Sequence, residues 1–420
     1  MLAFDPLGRG WVSAAEAAEG LPAGAVPVPR LDGELTTDPA ATFGQAQVDG
    51  GVVIDSRTLA EIHEIAPDRA VVDAGVLWSR LTRAALAHEL TPPVLPDYLE
   101  LSVGGALAAG GVGGATQRYG LQVDNVYELE VVTGEGRLVR CSPSRSRLLF
   151  ESVLGGLGQD GVLVRATVAL VSAPVSARVY ELFYADLGAY LADQTWLVEQ
   201  QRFRFHEGQV VERADGSGWE CKIEVAAFSQ AGEAPDDAAL LSGLDPIPER
   251  TITADHAYFD WLNRLALTVA FLIEIGVWFF PHPWINLLLP ASTAAEVVGG
   301  ALAELTPERN ADAPILLYPV RAGLLGRPLT HVPDEPVAFL FAILGTAPPD
   351  PAVVDALLAE NRALYEAARA AGGLRYPVGS VPFTRTDWRR HYGPTWPRVL
   401  AAKHRFDPRH VLTRGQSIFN

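Results

Sequence analysis

Residues 96–120 read PDYLELSVGGALAAGGVGGATQRYG, and this glycine-rich stretch carries most of the information about the fold. Between its serine and its last glycine there are seven glycines, at positions Gly104, Gly105, Gly110, Gly111, Gly113, Gly114 and Gly120. Glycines at this density allow a backbone to pass very close to a ligand or to another segment. The stretch is therefore predicted to be either a loop that cradles a cofactor or a tightly packed structural loop.

A second glycine motif, Gly156–Gly161, matches the GxGxxG pattern of dinucleotide-binding sites. Such a site needs a strand before the motif and a helix after it, so that the helix N-terminus meets the pyrophosphate. Here a predicted helix, Ser146–Leu154, precedes the motif and a predicted strand, Gly161–Val171, follows it. The motif is therefore predicted to form a tight helix-to-strand turn.

The pattern of apolar residues changes near residue 175. Before it, Tyr127–Thr133 and Arg137–Cys141 form a predicted hairpin. After it, Arg178–Tyr184, Gln200–Val211 and Trp219–Phe228 alternate apolar and polar residues, as the strands of a half-exposed antiparallel sheet do. Because helical segments also occur on both sides, the sequence predicts an α+β fold.

The overall composition excludes several classes of protein. The formal net charge is −17 and no basic stripe offsets it, so nucleic-acid binding is excluded. Two cysteines, Cys141 and Cys221, provide neither a zinc ligand cluster nor a disulfide framework, and no hydrolase or metal-site motif occurs. Met1–Arg9 does not have the pattern of a secretory signal, so a reducing cytoplasm is the expected compartment.

The longest apolar run is Leu265–Phe280, which contains Glu274 and stops at Pro281. A membrane-spanning helix needs about 20 apolar residues, so no membrane insertion is expected. Two interpretations of the run remain open. It is predicted to be either a buried helix, in the core or at a homodimer contact, or one wall of a large apolar pocket.

With these motifs the chain resembles cytokinin dehydrogenases, members of the vanillyl-alcohol-oxidase class of FAD enzymes. The resemblance covers nearly the whole chain after residue 31, and its motifs include Gly44–Gln47, Pro96–Leu99, Ser102–Gly105, Val153–Gln159, Pro281–Leu287, His391–Gly393 and Gly415–Phe419. It implies a two-part FAD-linked oxidase domain (PCMH-type) interrupted by a cap domain with an antiparallel sheet and flanking helices. The expected boundaries are 1–175 for a truncated flavin-type domain, 176–384 for the cap, and 385–420 for the segment that returns to the flavin-type domain.

The chain also departs from the family pattern. The family carries a flavin-gripping subdomain whose loop histidine is the usual covalent link, but here only Thr36–Phe43 separates the early motif from Gly44, and no histidine precedes His63. Ala106–Ala109 stands where the family shows Thr-Leu-Ser-Asn. Because a pyrophosphate needs several charge-assisted donors, we expect no bound cofactor. If FAD is bound, the resemblance assigns it to Gly104, Gly105, Gly111, Gly114 and Gln416, and Met1–Arg30 would supply a substitute cradle.

Asp97 lies where the family carries its general-base aspartate, and the alternative is a carboxylate that caps the turn after Pro96. The family's acidic partner on the cap helix aligns near Val269, so we expect the acidic pair to be broken. His282 is interpreted as a packed structural histidine, and His391 as a surface residue. The residues expected to contact a substrate are Tyr98, Glu274, Trp278, Tyr318 and Arg321.

Three functions follow from these expectations. The first is a flavin-free enzyme on a repurposed oxidase scaffold, which catalyses a non-redox cyclisation, such as a Diels–Alder-type cycloaddition or a rearrangement, of a hydrophobic natural-product intermediate. Holding a flexible substrate in a reactive shape lowers the entropic barrier of such a reaction. The second is an FAD-dependent oxidoreductase that oxidises an amine or an alcohol. The third is a non-catalytic binding protein.

Overall fold

The computed structural model describes residues 2–4, 11–13, 56–306, 310, 313–413 and 416–419, and its architecture is α+β, as predicted. Two short strands near the start, β1 (Leu2–Phe4) and β2 (Trp11–Ser13), pair antiparallel. The segments Gly44–Gln47 and Thr36–Phe43 lie outside the described residues, as does most of Met1–Arg30. The expectation of a substitute flavin cradle in that last segment therefore stays a prediction.

A five-stranded antiparallel sheet, in the order β3-β4-β8-β6-β7, forms the first unit. The elements of this unit, in chain order, are β3 (Ile62–Ala66), β4 (Arg69–Asp73), α1 (Trp78–Leu86), β5 (Leu90–Thr91), α2 (Val103–Ala109), α3 (Thr116–Tyr119), β6 (Val126–Val132), β7 (Leu138–Cys141), α4 (Arg147–Val153), β8 (Val162–Ala169) and β9 (Val171–Ser172). The predicted hairpin is confirmed as β6–β7. The turn at Gly156–Gly161 joins α4 to β8, as predicted, and the φ angle of Gly158 is +70°.

The glycine-rich stretch is not a continuous loop, because α2 and α3 lie within it. Ser102 begins α2 by accepting a hydrogen bond at Oγ from the amide of Gly105, 3.1 Å away. Gly104 lets α2 lie directly against the sheet, since a Cβ there would come 2.7 Å from the Cβ of Ala74. Gly110, with φ +121°, ends the helix in a conformation that favours glycine.

An eight-stranded antiparallel sheet, in the order β13-β10-β12-β11-β15-β16-β14-β17, forms the second unit. Its elements, in chain order, are β10 (Ser176–Tyr184), α5 (Leu187–Gln200), β11 (Phe205–Glu212), β12 (Trp219–Ser229), α6 (Asp237–Leu241), β13 (Ile252–Ala257), α7 (Tyr258–Leu262), α8 (Ala266–Glu274), β14 (Ile285–Pro290), α9 (Ala291–Glu304), β15 (Ile315–Arg321), β16 (Val337–Ile343), α10 (Pro351–Ala370) and β17 (Leu374–Arg375). The predicted antiparallel strands of this region are β10, β11 and β12.

The two faces of the eight-stranded sheet bury different sets of side chains, because successive residues of a strand point to opposite faces. Leu317 and Phe339 pack into the core that the sheet shares with α5, α9 and α10. Their neighbours Tyr318 and Leu340 belong instead to the core of the first unit. The sheet therefore covers the first unit with one face and carries its helices on the other.

The interpretation of Leu265–Phe280 as a helix buried in the core is wrong, whereas the homodimer contact and the pocket wall stay predictions. Only Val269 of α8 is buried, and Leu267 is 85 % exposed. The helix projects from the second unit after the buried turn of α7, so its apolar side chains face outward among the described residues. In the part of the chain that the structure describes, no helix combines the length and apolarity that crossing a membrane requires.

Two final helices, α11 (Arg385–Tyr392) and α12 (Trp396–Phe406), return to the first unit. The buried Lys403 Nζ donates to the carbonyl of Gln159 and to Oδ2 of Asp407, both at 2.7 Å. We propose 1–175, 176–384 and 385–420 as the domain boundaries. The last strand of the five-stranded sheet ends at Ala169, and the first strand of the eight-stranded sheet begins at Ser176, so the first boundary falls between the two sheets.

Candidate active site

Asp97 lies in the proline-rich segment between β5 and α2, where Pro96 precedes it. Its Oδ1 accepts a hydrogen bond from Nη2 of Arg264 at 2.8 Å. Among the described residues, the Asp97 carboxylate is therefore bonded to a guanidinium of the second unit and does not cap the turn after Pro96. The Asp97 side chain is 24 % exposed and lines a cavity between the two units, so it is held at one oxygen and accessible to a small molecule.

Arg264 binds three carboxylates at once. Besides Asp97, its Nη2 donates to Oε2 of Glu207 at 3.0 Å, and its Nε lies 3.5 Å from Oε1 of Glu224. The guanidinium is centred 4.4 Å from the ring of Trp261 and 5.0 Å from that of Phe205. These rings cover part of the cation, whose side chain is 19 % exposed, and this partial burial strengthens each of its ion pairs.

The carboxylates of the second unit form one row across three adjacent strands, which we call the acidic rung: Glu181 of β10, Glu224 of β12 and Glu207 of β11. Glu224 is directly opposite Glu181 in one strand pair and directly opposite Glu207 in the next. Like charges opposite each other destabilise a sheet unless cations lie between them. Lys222 supplies one such cation, with Nζ 2.7 Å from Oε1 of Glu181, and Arg264 supplies the other.

Burial sets the protonation of this cluster. The side chain of Glu207 is 2 % exposed, and burial together with the charge of Asp97 raises its pKa well above the usual range. Burial also raises the pKa of Glu224. Burial alone would lower the pKa of Arg264, but the charges of Asp97 and the two glutamates raise it overall, so the guanidinium stays charged. Burial therefore favours the protonated form of Glu207 beside the charged pair of Asp97 and Arg264.

The expectation of a broken acidic pair is wrong. Val269 is indeed apolar, but Glu207 occupies the partner position beside Asp97, from a strand rather than from the cap helix. The signal that could have found it is a glutamate in the strand FHEGQVV, two residues after Phe205 and therefore on the same face of the strand as that buried ring.

The other predicted substrate residues fall into two groups. Tyr318 is buried on β15, and burial, then the charges of Glu207 and Asp97, raise the pKa of its hydroxyl. The rings of Tyr98 and Trp278 pack together with their centroids 5.3 Å apart. Glu274 is exposed at the end of α8, and Arg321 is half-buried at the end of β15. Within the described residues, neither side chain forms a hydrogen bond or an ion pair with Asp97.

His391 is buried, so its interpretation as a surface residue is wrong. Burial lowers its pKa to about 3, and neither ring nitrogen has a hydrogen-bond partner among the described residues. Nε2 of His282 donates a hydrogen bond to the carbonyl of Trp278 at 3.0 Å, and Nδ1 shares a hydrogen bond with the hydroxyl of Thr346 at 3.2 Å, which agrees with a packed structural role.

The residues around Gly111 test whether FAD fits this chain. Gly111 has φ +76°, and a Cβ there would lie 2.1 Å from Oε1 of Gln122. Both amide atoms of buried Gln122 lack a partner among the described residues. A buried polar atom without a partner costs about 1–3 kcal/mol, and the polar edge of a flavin ring is a group that would satisfy these atoms. The described residues therefore fit the ring end of FAD.

The individual glycines predicted to contact FAD have different neighbours. Gly104 packs on Ala74, and Gly114 packs on Phe205, whose ring would lie 2.5 Å from an added Cβ. Gln416 is buried, and its carbonyl accepts a hydrogen bond from Nε1 of Trp388 at 2.9 Å. Gly105 donates its amide to Ser102.

Comparison with known proteins identifies both units. A family model described as FAD binding domain matches residues 40–142, and one described as cytokinin dehydrogenase 1, FAD and cytokinin binding, matches residues 223–419. An oxidoreductase, ORF5 of the fasciation locus of Rhodococcoides fascians, is 39% identical over 375 residues, which cover 89% of this chain and 85% of the relative.

Two plant relatives extend the comparison. Cytokinin dehydrogenase 5 of Oryza sativa subsp. japonica is 35% identical over 473 aligned positions, which cover 99% of this chain and 86% of the relative. Because this alignment is longer than the chain's 420 residues, the relative has residues with no counterpart here. Cytokinin dehydrogenase 1 of Arabidopsis thaliana is 31% identical over 417 positions, covering 90% of this chain and 72% of the relative.

These matches overturn two expectations. The FAD-binding domain match and the oxidoreductase relatives point to bound FAD, so the expectation of no cofactor is wrong. They also point to an FAD-binding oxidoreductase, so the flavin-free cyclase and its place in natural-product biosynthesis are not supported, and the expected alternative is the better one. The absence of hydroxyl and amide donors at Ala106–Ala109 misled the prediction, because the match to an FAD-binding domain extends over residues 40–142 all the same. The chain belongs to the cytokinin dehydrogenase family of FAD-linked oxidases.

Proposed function

We propose that this protein is an FAD-dependent oxidoreductase that oxidises an amine of a hydrophobic small molecule, in the manner of a cytokinin dehydrogenase. The observation that carries the proposal is the set of contacts at Asp97. One carboxylate oxygen is held by Arg264 at 2.8 Å, the neighbouring Glu207 is buried against the same nitrogen, and the cavity beside them is lined by prolines and aromatic side chains.

Asp97 accepts the proton of the substrate nitrogen in this proposal. FAD, when bound, supplies the acceptor for the hydride that leaves the carbon beside that nitrogen. Arg264 acts as a positioning residue, because its bond to Oδ1 fixes the carboxylate and leaves Oδ2 for the substrate. Glu207 acts as a second positioning residue, because its Oε2 accepts a hydrogen bond from the same Nη2 of Arg264 at 3.0 Å.

The aromatic pair Tyr98 and Trp278 forms an apolar wall in this proposal, and Tyr318 closes the pocket beside Glu207. A positioned amine and a positioned acceptor make proton transfer nearly intramolecular, which lowers its entropic barrier. Gln122, Tyr376 and Gln416 are proposed to hold the ring end of FAD, since both amide atoms of Gln122 are buried without partners among the described residues.

The experiment is to purify the protein in the presence of FAD, record its visible absorption, and measure oxidation of N6-isopentenyladenine with an artificial electron acceptor. We expect a flavin spectrum that the amine bleaches in the absence of the acceptor. Asp97→Asn should keep the flavin spectrum and slow the bleaching by about 10²–10⁴-fold, the usual contribution of a general base. A protein that binds FAD but whose spectrum no amine or alcohol alters would contradict the proposal.

We further propose a cytoplasmic compartment, because Cys141 and Cys221 are both buried and neither forms a disulfide. The homodimer stays a prediction.

A further inference from the structure

An apolar stripe runs along the outer side of α8. Leu267, Phe271 and Ile275 are spaced four residues apart, and Ile275, just after the helix, keeps right-handed helical backbone angles, so the three lie on one side. They are 85, 56 and 51 % exposed, whereas Val269, on the opposite side, is buried. Apart from Ile273 of the same helix, the other large exposed apolar residues of the described chain occur singly in other segments. A contiguous exposed patch of this kind marks an interaction surface.

Neither the Asp97 cavity nor a lipid surface accounts for this stripe. The cavity takes Leu262 and Arg264 from this part of the chain, and none of its described lining residues belongs to α8. A helix that lies in a lipid headgroup layer carries Lys and Arg on its polar face, and neither residue occurs between Arg264 and Arg309. Anionic lipids would also repel a chain whose net charge is −17. The occupant of the stripe must therefore present an apolar surface with little charge.

The outer side of α8 is complementary to itself about a twofold axis. If two copies of the helix pack antiparallel with Phe271 at the axis, each residue meets the one equally far from Phe271 on the other side. Leu267 of one copy then meets Ile275 of the other, so apolar side chains face each other. Thr268 meets Glu274, so a hydroxyl donor faces the one charged group of the helix. The two Glu274 residues are about 9 Å apart along the helix axis, because the rise is about 1.5 Å per residue.

We propose that α8 is the centre of a homodimer contact in which Phe271 of one copy packs on Phe271 of the other. Both copies use the same surface, so the contact closes on itself and produces a dimer rather than a filament. Charged residues are depleted from the cores of such interfaces, which matches the composition of α8. A nine-residue helix is only about 13 Å long, so the interface is small and we expect a dissociation constant in the micromolar range.

The first test is sedimentation velocity of the FAD-loaded protein at concentrations from about 1 to 100 µM. We expect the native protein to shift from monomer to dimer over this range. Phe271→Ser should weaken the dimer by at least about tenfold, because it removes the aromatic ring at the centre of the contact. Leu138→Ser is the matched control, since Leu138 is 62 % exposed but lies on β7 of the five-stranded sheet, and it should leave the dimer unchanged.

The second test measures the register of the two helices. The two native cysteines, Cys141 and Cys221, are both buried, so a cysteine introduced on α8 is the accessible thiol. With copper phenanthroline as the oxidant, Phe271→Cys should form a disulfide-linked dimer. Leu267→Cys and Ile275→Cys should cross-link to each other when the two variants are mixed, and much faster than either does alone. Leu138→Cys should stay uncross-linked.

The outcomes separate a homodimer from the other occupants. A native protein that stays monomeric at the highest concentration would overturn the inference, and so would a dimer that Phe271→Ser leaves intact. Cross-linking that fails between Leu267→Cys and Ile275→Cys would refute the antiparallel contact. Flotation of the monomer with phosphatidylserine-containing vesicles would assign the stripe to a lipid surface instead. None of these measurements requires turnover, so this inference and the proposed function can fail separately.

Discussion

Glu207→Gln tests how the acidic rung is charged. The Glu207 side chain is 2 % exposed, and burial, then the charge of Asp97, raises its pKa well above its ordinary value of 4.5. At pH values between the ordinary pKa and the raised pKa, Glu207 is protonated in the folded protein and deprotonated in the unfolded chain. The stability linked to this proton is present below the ordinary pKa and is lost as the pH rises toward the raised pKa.

The size of the effect follows from the one proton involved. A group that binds one proton in the folded state and none in the unfolded state changes the free energy of unfolding by about 1.4 kcal/mol per pH unit. Glutamine has the size of a protonated glutamate but cannot lose a proton. The variant should therefore match the native protein near the ordinary pKa of Glu207 and become progressively more stable than it as the pH rises, by up to about 1.4 kcal/mol per pH unit.

The assay is urea unfolding of the FAD-loaded protein, followed by tryptophan fluorescence at a series of pH values. Glu212→Gln is the matched control, because Glu212 lies on the same strand but is exposed. Its stability should follow that of the native protein at every pH. If the curves of the native protein and of Glu207→Gln run parallel from acid to alkaline pH, Glu207 does not hold the buried proton and the charge assignment of the site is wrong.

Three further outcomes are expected. Arg264→Met leaves two buried glutamates and Asp97 without the cation that they share. The substitution should lower the free energy of unfolding in urea at neutral pH by about 3–5 kcal/mol. A loss below about 1 kcal/mol would contradict the ion-pair geometry. Gly111→Ala places a Cβ 2.1 Å from Oε1 of Gln122, in a left-handed backbone conformation. The variant should lower the free energy of unfolding by about 1–2 kcal/mol and reduce the ratio of flavin to protein absorbance. A variant with full flavin content would show that the ring lies elsewhere. No histidine precedes His63, so the loop histidine that the resemblance gives as the covalent flavin link has no equivalent in this sequence. Acid precipitation of the protein should therefore release the flavin into the supernatant. A yellow protein pellet, which would mean that the flavin is covalently bound, would refute this prediction.

Local pattern was sufficient for much of the fold. The β6–β7 hairpin has β-branched runs on both sides of Gly134–Gly136, and the turn at Gly156–Gly161 lies between a clear helix and a clear strand. These features depend on residues close together in sequence, so the period of the apolar residues predicts them. The family motifs singled out Asp97, and the structure shows this residue bonded to Arg264 of the second unit.

Long-range pairing accounts for what was missed. Glu207 lies beside Asp97 only because β11 and β12 pair in one register, and the sequence does not state that register. The apolar run at Leu265–Phe280 predicted burial, yet whether a helix is covered depends on its neighbours in three dimensions. The absence of hydroxyl groups at Ala106–Ala109 suggested that flavin binding was lost. The polar group that argues the other way, the unpartnered amide of Gln122, becomes visible only in three dimensions, where it packs against Gly111.

The Arg264 guanidinium joins parts of the chain that no short segment connects. Asp97 belongs to the first unit, whereas Glu207, Glu224 and Arg264 belong to the second. Any hinge motion that separates the units must break the 2.8 Å bond and expose an arginine that is now enclosed by Trp261 and Phe205. The Asp97 carboxylate, the base that we propose for the substrate's proton, is held by Arg264 only while this interface is closed. Under that proposal, domain opening also removes the alignment of the base.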